Sequence, residues 1–211
     1  MKVLLVNGSP HMEGCTYTAL IEVEKILKEE GIETEIFWIK NKPIGGCIAC
    51  MSCAKNGKCA FDDSVNEFVE KAKDADGFVF GTPVHYAGAT GNITSFMDRA
   101  FYSASCSGKV DRFTYKPTAT VISARRAGTT ATYEQLNKYF GITQMPIISS
   151  RYWNMVHGRT PDDVRQDEEG MQVMRILGRN MAYYLKCIQA GKEKGIELPK
   201  QEEITLTNFI R

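Results

Sequence analysis

Four of the seven cysteines in this 211-residue chain fall between positions 47 and 59, in the pattern Cys47-x2-Cys50-x2-Cys53-x5-Cys59. Four thiolates drawn from one compact run are the ligand set of an iron-sulfur cubane. The same four could hold zinc, or remain free thiols that act as small apolar or redox-responsive side chains. An odd total with most members clustered suits reduced thiols in a metal or redox site better than a disulfide framework. Cys106 and Cys187 lie far from the group. Cys187, near Tyr184 in an apolar-striped helix, reads as core, and Cys106 has no legible role.

Three further segments could carry chemistry. Gly8-Ser9-Pro10-His11-Met12-Glu13-Gly14-Cys15-Thr16 follows a short apolar run and opens a helix, where backbone N–H groups and the helix dipole favour a phosphate. It lacks Gly-Lys-Ser/Thr and Gly-x-Gly-x-x-Gly, so neither a triphosphate loop nor the usual dinucleotide fingerprint is present. Ser9 and Thr16 offer hydroxyl donors and His11 a further donor or charge. The bland alternative is an ordinary turn capped by Thr16. Gly81-Thr82-Pro83-Val84-His85-Tyr86-Ala87-Gly88 joins a rigid proline to two aromatics, a place for a flat heteroaromatic ring to stack; otherwise it is a plain structural loop. Ser123-Ala124-Arg125-Arg126-Ala127-Gly128 offers small residues for close approach and a guanidinium for a carbonyl or phosphate, unless both arginines are simply solvated.

These segments need elements to hold them. Short apolar runs predict strands at Lys2–Asn7, Thr34–Ile39, Gly77–Gly81, Thr118–Ser123 and Pro146–Ser149. Amphipathic periodicity predicts helices over Thr16–Glu30, from the Asp62-Asp63-Ser64 cap through Lys73, over Asn92–Tyr102 and Thr130–Phe140, and one long helix within Pro161–Lys194. Strand and helix alternate five times, which argues for an α/β fold with a doubly wound, five-stranded parallel sheet and helices on both faces. Ligands of such sheets sit at the carboxyl ends of the strands. One domain over residues 1–195 is expected, with the cysteine-rich loop 45–60 inserted. Polar Ser103–Lys116 reads as a flexible insertion, and the tail 196–211 as an arm that could dock on a partner subunit. Met145, Met155, Met171, Met174 and Met181 read as packing or dimer-interface residues.

Composition narrows the partners. Hydrophobic residues make up 43% and charged residues 24%, and Lys+Arg 26 against Asp+Glu 25 leaves a net charge of +1. Disorder is excluded by the first pair of values, and the charge balance gives no footprint for nucleic acid or an anionic membrane. Apolar runs such as Val3–Val6 and Ile36–Ile39 are far shorter than a membrane span requires. Neither a secretory leader nor a membrane anchor is expected, and a cytoplasmic location follows.

Taken together, the Gly-Ser-Pro loop, the Thr-Pro-Val-His-Tyr loop, the Ala-Arg-Arg-x-Gly segment and Tyr152-Trp153-Asn154 resemble the NADPH-dependent FMN reductase family, a branch of the flavodoxin-like fold. The resemblance covers nearly the whole chain. It implies tightly held FMN, with the phosphate at Ser9, His11, Gly14, Cys15 and Thr16, the isoalloxazine at Pro83, Val84, His85, Tyr86 and Ala87, and further ring contacts from Ser123, Ala124, Arg125 and Gly128. The family commonly has arginine where His11 stands and a polar residue where Cys15 stands. The cysteine spacing is similar to that of the iron-sulfur flavoproteins, which implies a [4Fe-4S] cluster on Cys47, Cys50, Cys53 and Cys59.

The implied activity is an FMN-dependent oxidoreductase that takes hydride from NADH or NADPH. It would pass electrons to a quinone, a nitro or azo compound, free flavin or an electron carrier. The alternative is an iron-sulfur flavoprotein in electron transfer with ferredoxin, and a weaker one is a flavin-binding protein without turnover. In the leading reading the cofactor does the chemistry, so no catalytic acid or base is named. His157 could approach a neighbouring subunit's flavin or serve as a local hydrogen-bonding group. A homodimer or homotetramer is implied.

Overall fold

A computed structural model describes residues 1–207 and 209. Along the chain run β1 (Lys2–Asn7), α1 (Cys15–Glu29), β2 (Glu33–Trp38), α2 (Ser52–Asn56), α3 (Ser64–Lys71), β3 (Gly77–His85), β4 (Gly88–Ala89), α4 (Gly91–Cys106), β5 (Thr118–Ala124), α5 (Thr129–Ile142), β6 (Met155–His157), α6 (Pro161–Gln166) and α7 (Glu168–Glu193). Five strands pair in parallel in the order β2-β1-β3-β5-β6, and short β4 folds back antiparallel on the end of β3. The sheet therefore has six strands rather than five. With the hairpin strand set aside, the order is that of the flavodoxin-like fold.

Alternation along buried strands builds two cores. Leu4, Val6, Phe78, Phe80 and Ile122 face α3, α4 and α5, while Val3, Leu5, Val79 and Val121 face α1 and α7. The first core centres on Phe68 of α3, whose ring lies 5.1 Å from that of Phe96 and 5.5 Å from that of Phe37. In the middle of β3, a side chain on Gly81 would meet Thr16 at 2.8 Å and Leu20 at 2.9 Å. Glycine there lets α1 lie close against the sheet.

Three expectations are corrected. The edge strand is Met155–His157, not Pro146–Ser149. Pro146 has no N–H, so this stretch makes only a bridge in which Thr118 N donates to Pro146 O at 2.8 Å and Ile148 N to Thr118 O at 2.7 Å. Fully buried Asn154 then closes the intervening loop, accepting from Ser150 N at 3.1 Å, and pairing resumes where Ile122 N donates to Asn154 O. The long helix expected within 161–194 is α7, and short α6 precedes it: Asp167 leaves helical geometry (ψ 77°) and turns its carboxylate onto Gly170 N to cap α7. Ser103–Lys116 is packed rather than a loose insertion: Phe113 is fully buried, and Arg112 and Lys116 donate to Val69 O and Ala72 O. Cys187 is exposed, not core. Of the expected tail, Leu198 lies in a small cavity with Met1, Pro117 and Leu185; residues 208, 210 and 211 lie outside the described residues.

Candidate functional site

The loop after β1 and the carboxyl ends of β3 and β5 meet at one rim of the sheet, around a cleft of about 280 Å³ lined by Ser9, His11, Cys15, Thr16, Pro83, Val84, His85, Ser123, Ala124 and Arg125. The loop after β1 is fixed by its own bonds. Asn7, buried at the end of β1, accepts from Ser9 N at 3.0 Å and donates to Met12 O at 2.9 Å, while Trp38 Nε1 donates to Ser9 O. His11 N donates to Ser9 Oγ at 3.1 Å, which leaves the Ser9 hydroxyl proton unspent. The Thr16 and Ser123 hydroxyls meet at 2.8 Å and join the first loop to β5.

The start of α1 carries no side-chain cap and no acidic residue in its first turn. A helix leaves its first N–H groups without intrahelical partners, so this end presents donors and a positive dipole beside the cleft. Burial pushes the Cys15 thiol up, keeping it neutral there. The β5 loop approaches the β3 loop through Gly128, whose φ of +92° suits glycine and where a side chain would meet Val84 at 2.9 Å.

Not every residue singled out in the sequence lines this cleft. Gly14 faces the adjoining groove with His11 and Trp38. Tyr86 and Ala87 form the tip of the β3–β4 hairpin, Tyr86 at φ 56° with its side chain fully exposed, and Gly128 packs on Val84. His157 ends the edge strand; its backbone N–H donates to Asp167 at 2.7 Å, and its side-chain Nδ1 lies 3.8 Å from the same carboxylate. Two residues missed by the sequence reading do line the cleft, Gly158 and Arg159. Their signal was Thr160-Pro161-Asp162-Asp163, a capping box that starts α6 and sets Arg159 at the rim, with Arg159 N and Thr160 N both donating to Asp163. Arg159 shares the groove with His11 and supplies the fixed positive charge the first loop lacks.

The loop after β2 opens on the same rim and holds the cysteines. Cys47, Cys50, Cys53 and Cys59 line one pocket with Ile48, Phe61, Arg99 and Tyr102. Cys53 is buried and Cys59 half-buried, whereas Cys47 and Cys50 are exposed. Positive φ at Ala49 (52°) and Met51 (56°) coils the backbone on either side of Cys50. Among the described residues no three His, Cys, Asp or Glu side chains converge closely enough to hold a single metal ion. Cys106, the last residue of α4, belongs to this neighbourhood: burial, with the Cys106 thiol beside it, pushes the Cys53 thiol up. Long sequence separation concealed this contact. Asn92 at the start of α4 ties the loop down, accepting from Ile44 N and donating to Lys42 O.

Comparison with known proteins adds a second line of observation. A family model described as NADPH-dependent FMN reductase matches residues 1–160. An iron-sulfur flavoprotein of Methanocaldococcus jannaschii is 32% identical over 194 residues, covering 90% of this chain and all of that one. Among solved structures, RosB with bound 8-demethyl-8-formylriboflavin-5'-phosphate superimposes with a TM-score of 0.69 at 14% identity, over 100% of this chain and 94% of that one. A flavodoxin from the domain Archaea superimposes at 0.57 and 13% identity, over 88% and 99%. At these identities the two structures bear on the fold alone.

Proposed function

Because the chain belongs to the NADPH-dependent FMN reductase family, among its iron-sulfur flavoproteins, its class is flavin-dependent oxidoreduction, and we propose that it takes hydride from NADH or NADPH and passes electrons to a second substrate. The acceptor would be a quinone, a nitro or azo compound, free flavin or an electron carrier. The observation that carries this reading is the meeting of three strand-end loops on one cleft beside an uncapped helix start.

The residues present fit FMN. Ser9, His11, Thr16 and the first N–H groups of α1 would hold the phosphate, with Arg159 adding charge. Pro83, Val84 and His85 on one side, and Ser123, Ala124 and Arg125 on the other, would hold the ring between β3 and β5. FMN, when bound, supplies the hydride and electron chemistry. The chain's own part is to orient the ring with rigid backbone at Pro83 and Gly128, to neutralise the phosphate, and to keep the rim of the cleft firm through the Thr16–Ser123 pair. In the same reading a second copy of the chain completes the open side of the cleft, as a homodimer or homotetramer.

The four thiols support a second reading, electron transfer through a [4Fe-4S] cluster with a carrier such as ferredoxin. A cubane takes one thiolate per iron, and four cysteines lining one pocket supply that number. A single zinc would ask for convergence on one point. Anaerobic stopped-flow mixing separates the readings. Bleaching of the flavin by NADPH within seconds is the outcome expected for the reductase; flavin that bleaches only with reduced ferredoxin would move the assignment to electron transfer, and flavin that neither donor bleaches would leave a binding protein without turnover.

A further inference from the structure

One wall of the cysteine pocket is a buried arginine. Arg99, on α4, is 2% exposed. Its Nη1 and Nη2 donate to Asp63 at 2.6 and 2.9 Å, Nη1 also reaches Gly45 O at 3.3 Å, and its guanidinium sits 4.7 Å from the centre of the Phe61 ring. The remaining nitrogen, Nε, donates to Cys59 Sγ at 3.2 Å. A buried ion pair is weak evidence for stability, since well-packed apolar residues often do as well. Asp63 has an independent structural role as the N-cap of α3, accepting from Val65 N. What the buried cation adds is direction: the planar fork is locked on Asp63 by two parallel bonds, and this fixes the third donor on one cysteine sulfur.

We infer that Arg99 is a positioning residue that sets the reduction potential of the cluster held by Cys47, Cys50, Cys53 and Cys59, through its bond to the Cys59 sulfur. The inference rests on the cluster reading above. Reduction adds one electron, and so one negative charge, to a group already ringed by thiolates, and donors to the sulfurs stabilise the more negative state. Asp63 faces the two terminal nitrogens, so the positive side of the pair is turned to the sulfur. No bond is made or broken at Arg99 and no proton moves; the electron is supplied by the titrant in the test below and by flavin or a one-electron carrier in turnover.

The test is an anaerobic redox titration followed by electron paramagnetic resonance on the cluster-loaded wild type and the Arg99→Gln, Arg99→Lys and Asp63→Asn variants. Arg99→Gln is expected to shift the oxidised-to-reduced ratio of the cluster at a given potential about tenfold toward oxidised, about 59 mV lower for a one-electron couple. Arg99→Lys keeps the charge but loses the fork and should shift it part of the way. Asp63→Asn leaves the guanidinium uncompensated and should shift it the other way, which keeps the inference testable if Arg99→Gln fails to load. The flavin midpoint from the same titration should stay in place, whereas general damage to the fold would move both. Unchanged cluster midpoints in all loaded variants would overturn the role of Arg99 while leaving the cluster standing. Wild type with less than about one iron per chain would overturn the cluster and Arg99 together.

Discussion

Ser9 shows how a single residue type announces a site. It is 3% exposed, held at N by Asn7, and its oxygen accepts from His11 N, so the hydroxyl proton is left for a ligand. Ser9→Ala is expected to weaken FMN binding about tenfold to a hundredfold, since a hydrogen bond to a charged group is worth about 1.5–3 kcal/mol. A fluorescence titration with FMN measures it; unchanged affinity would remove Ser9 from the phosphate contacts. Ser9, Thr16 and Pro83 were legible as cleft residues because the turn chemistry of hydroxyls and a rigid proline marks where strands end. Arg159 was not, because its place at the cleft depends on the edge strand. Cys106 was not, because its thiol partner lies 53 positions away across α2 and α4.

At the scale of elements, the strand-helix order was readable from apolar periodicity, and the errors fell where local bonding overrides pattern. Pro146–Ser149 has the residues of a strand but makes only a bridge, and the true edge, Met155–His157, is too short to announce itself. Charges also join elements. Glu35 on β2 accepts from Lys2 of β1 at 2.7 Å and from Lys71 of α3 at 2.8 Å. Its hydrogen bond with Lys2, then that with Lys71, holds its carboxyl below the usual 4.5. The unfolded chain therefore binds the proton more readily, so this group contributes stability above about pH 4.5 that is lost as pH falls through the lower folded value. Glu35→Gln should cost about 1 kcal/mol or less near pH 7, as half-exposed ion pairs do. In urea melts the difference from wild type should shrink below pH 4.5, and a pH-independent difference would contradict it.

For the whole molecule, the strand order is what brings the chemistry together. β1 lies between β2 and β3, so chain direction across the sheet reverses beside it, and crevices open at such switch points. The loops after β1 and β3 flank that crevice, the β5 loop reaches it through Gly128, and the cysteine loop after β2 opens on the same rim. Alternation of elements made the fold class legible from the sequence. The side chains that meet across the rim were beyond it, because pairing such as Thr16 with Ser123 or Arg99 with Cys59 exists only once the sheet has ordered its loops. The central claim is that this rim holds FMN; the second reading adds a four-iron cluster on the adjoining thiols. Its most direct test is the flavin, iron and acid-labile sulfide content of protein isolated under strict exclusion of oxygen. The account predicts about one FMN per chain, and the second reading adds about four irons. Colourless protein that takes up neither FMN at micromolar concentration nor iron and sulfide on reconstitution would contradict it.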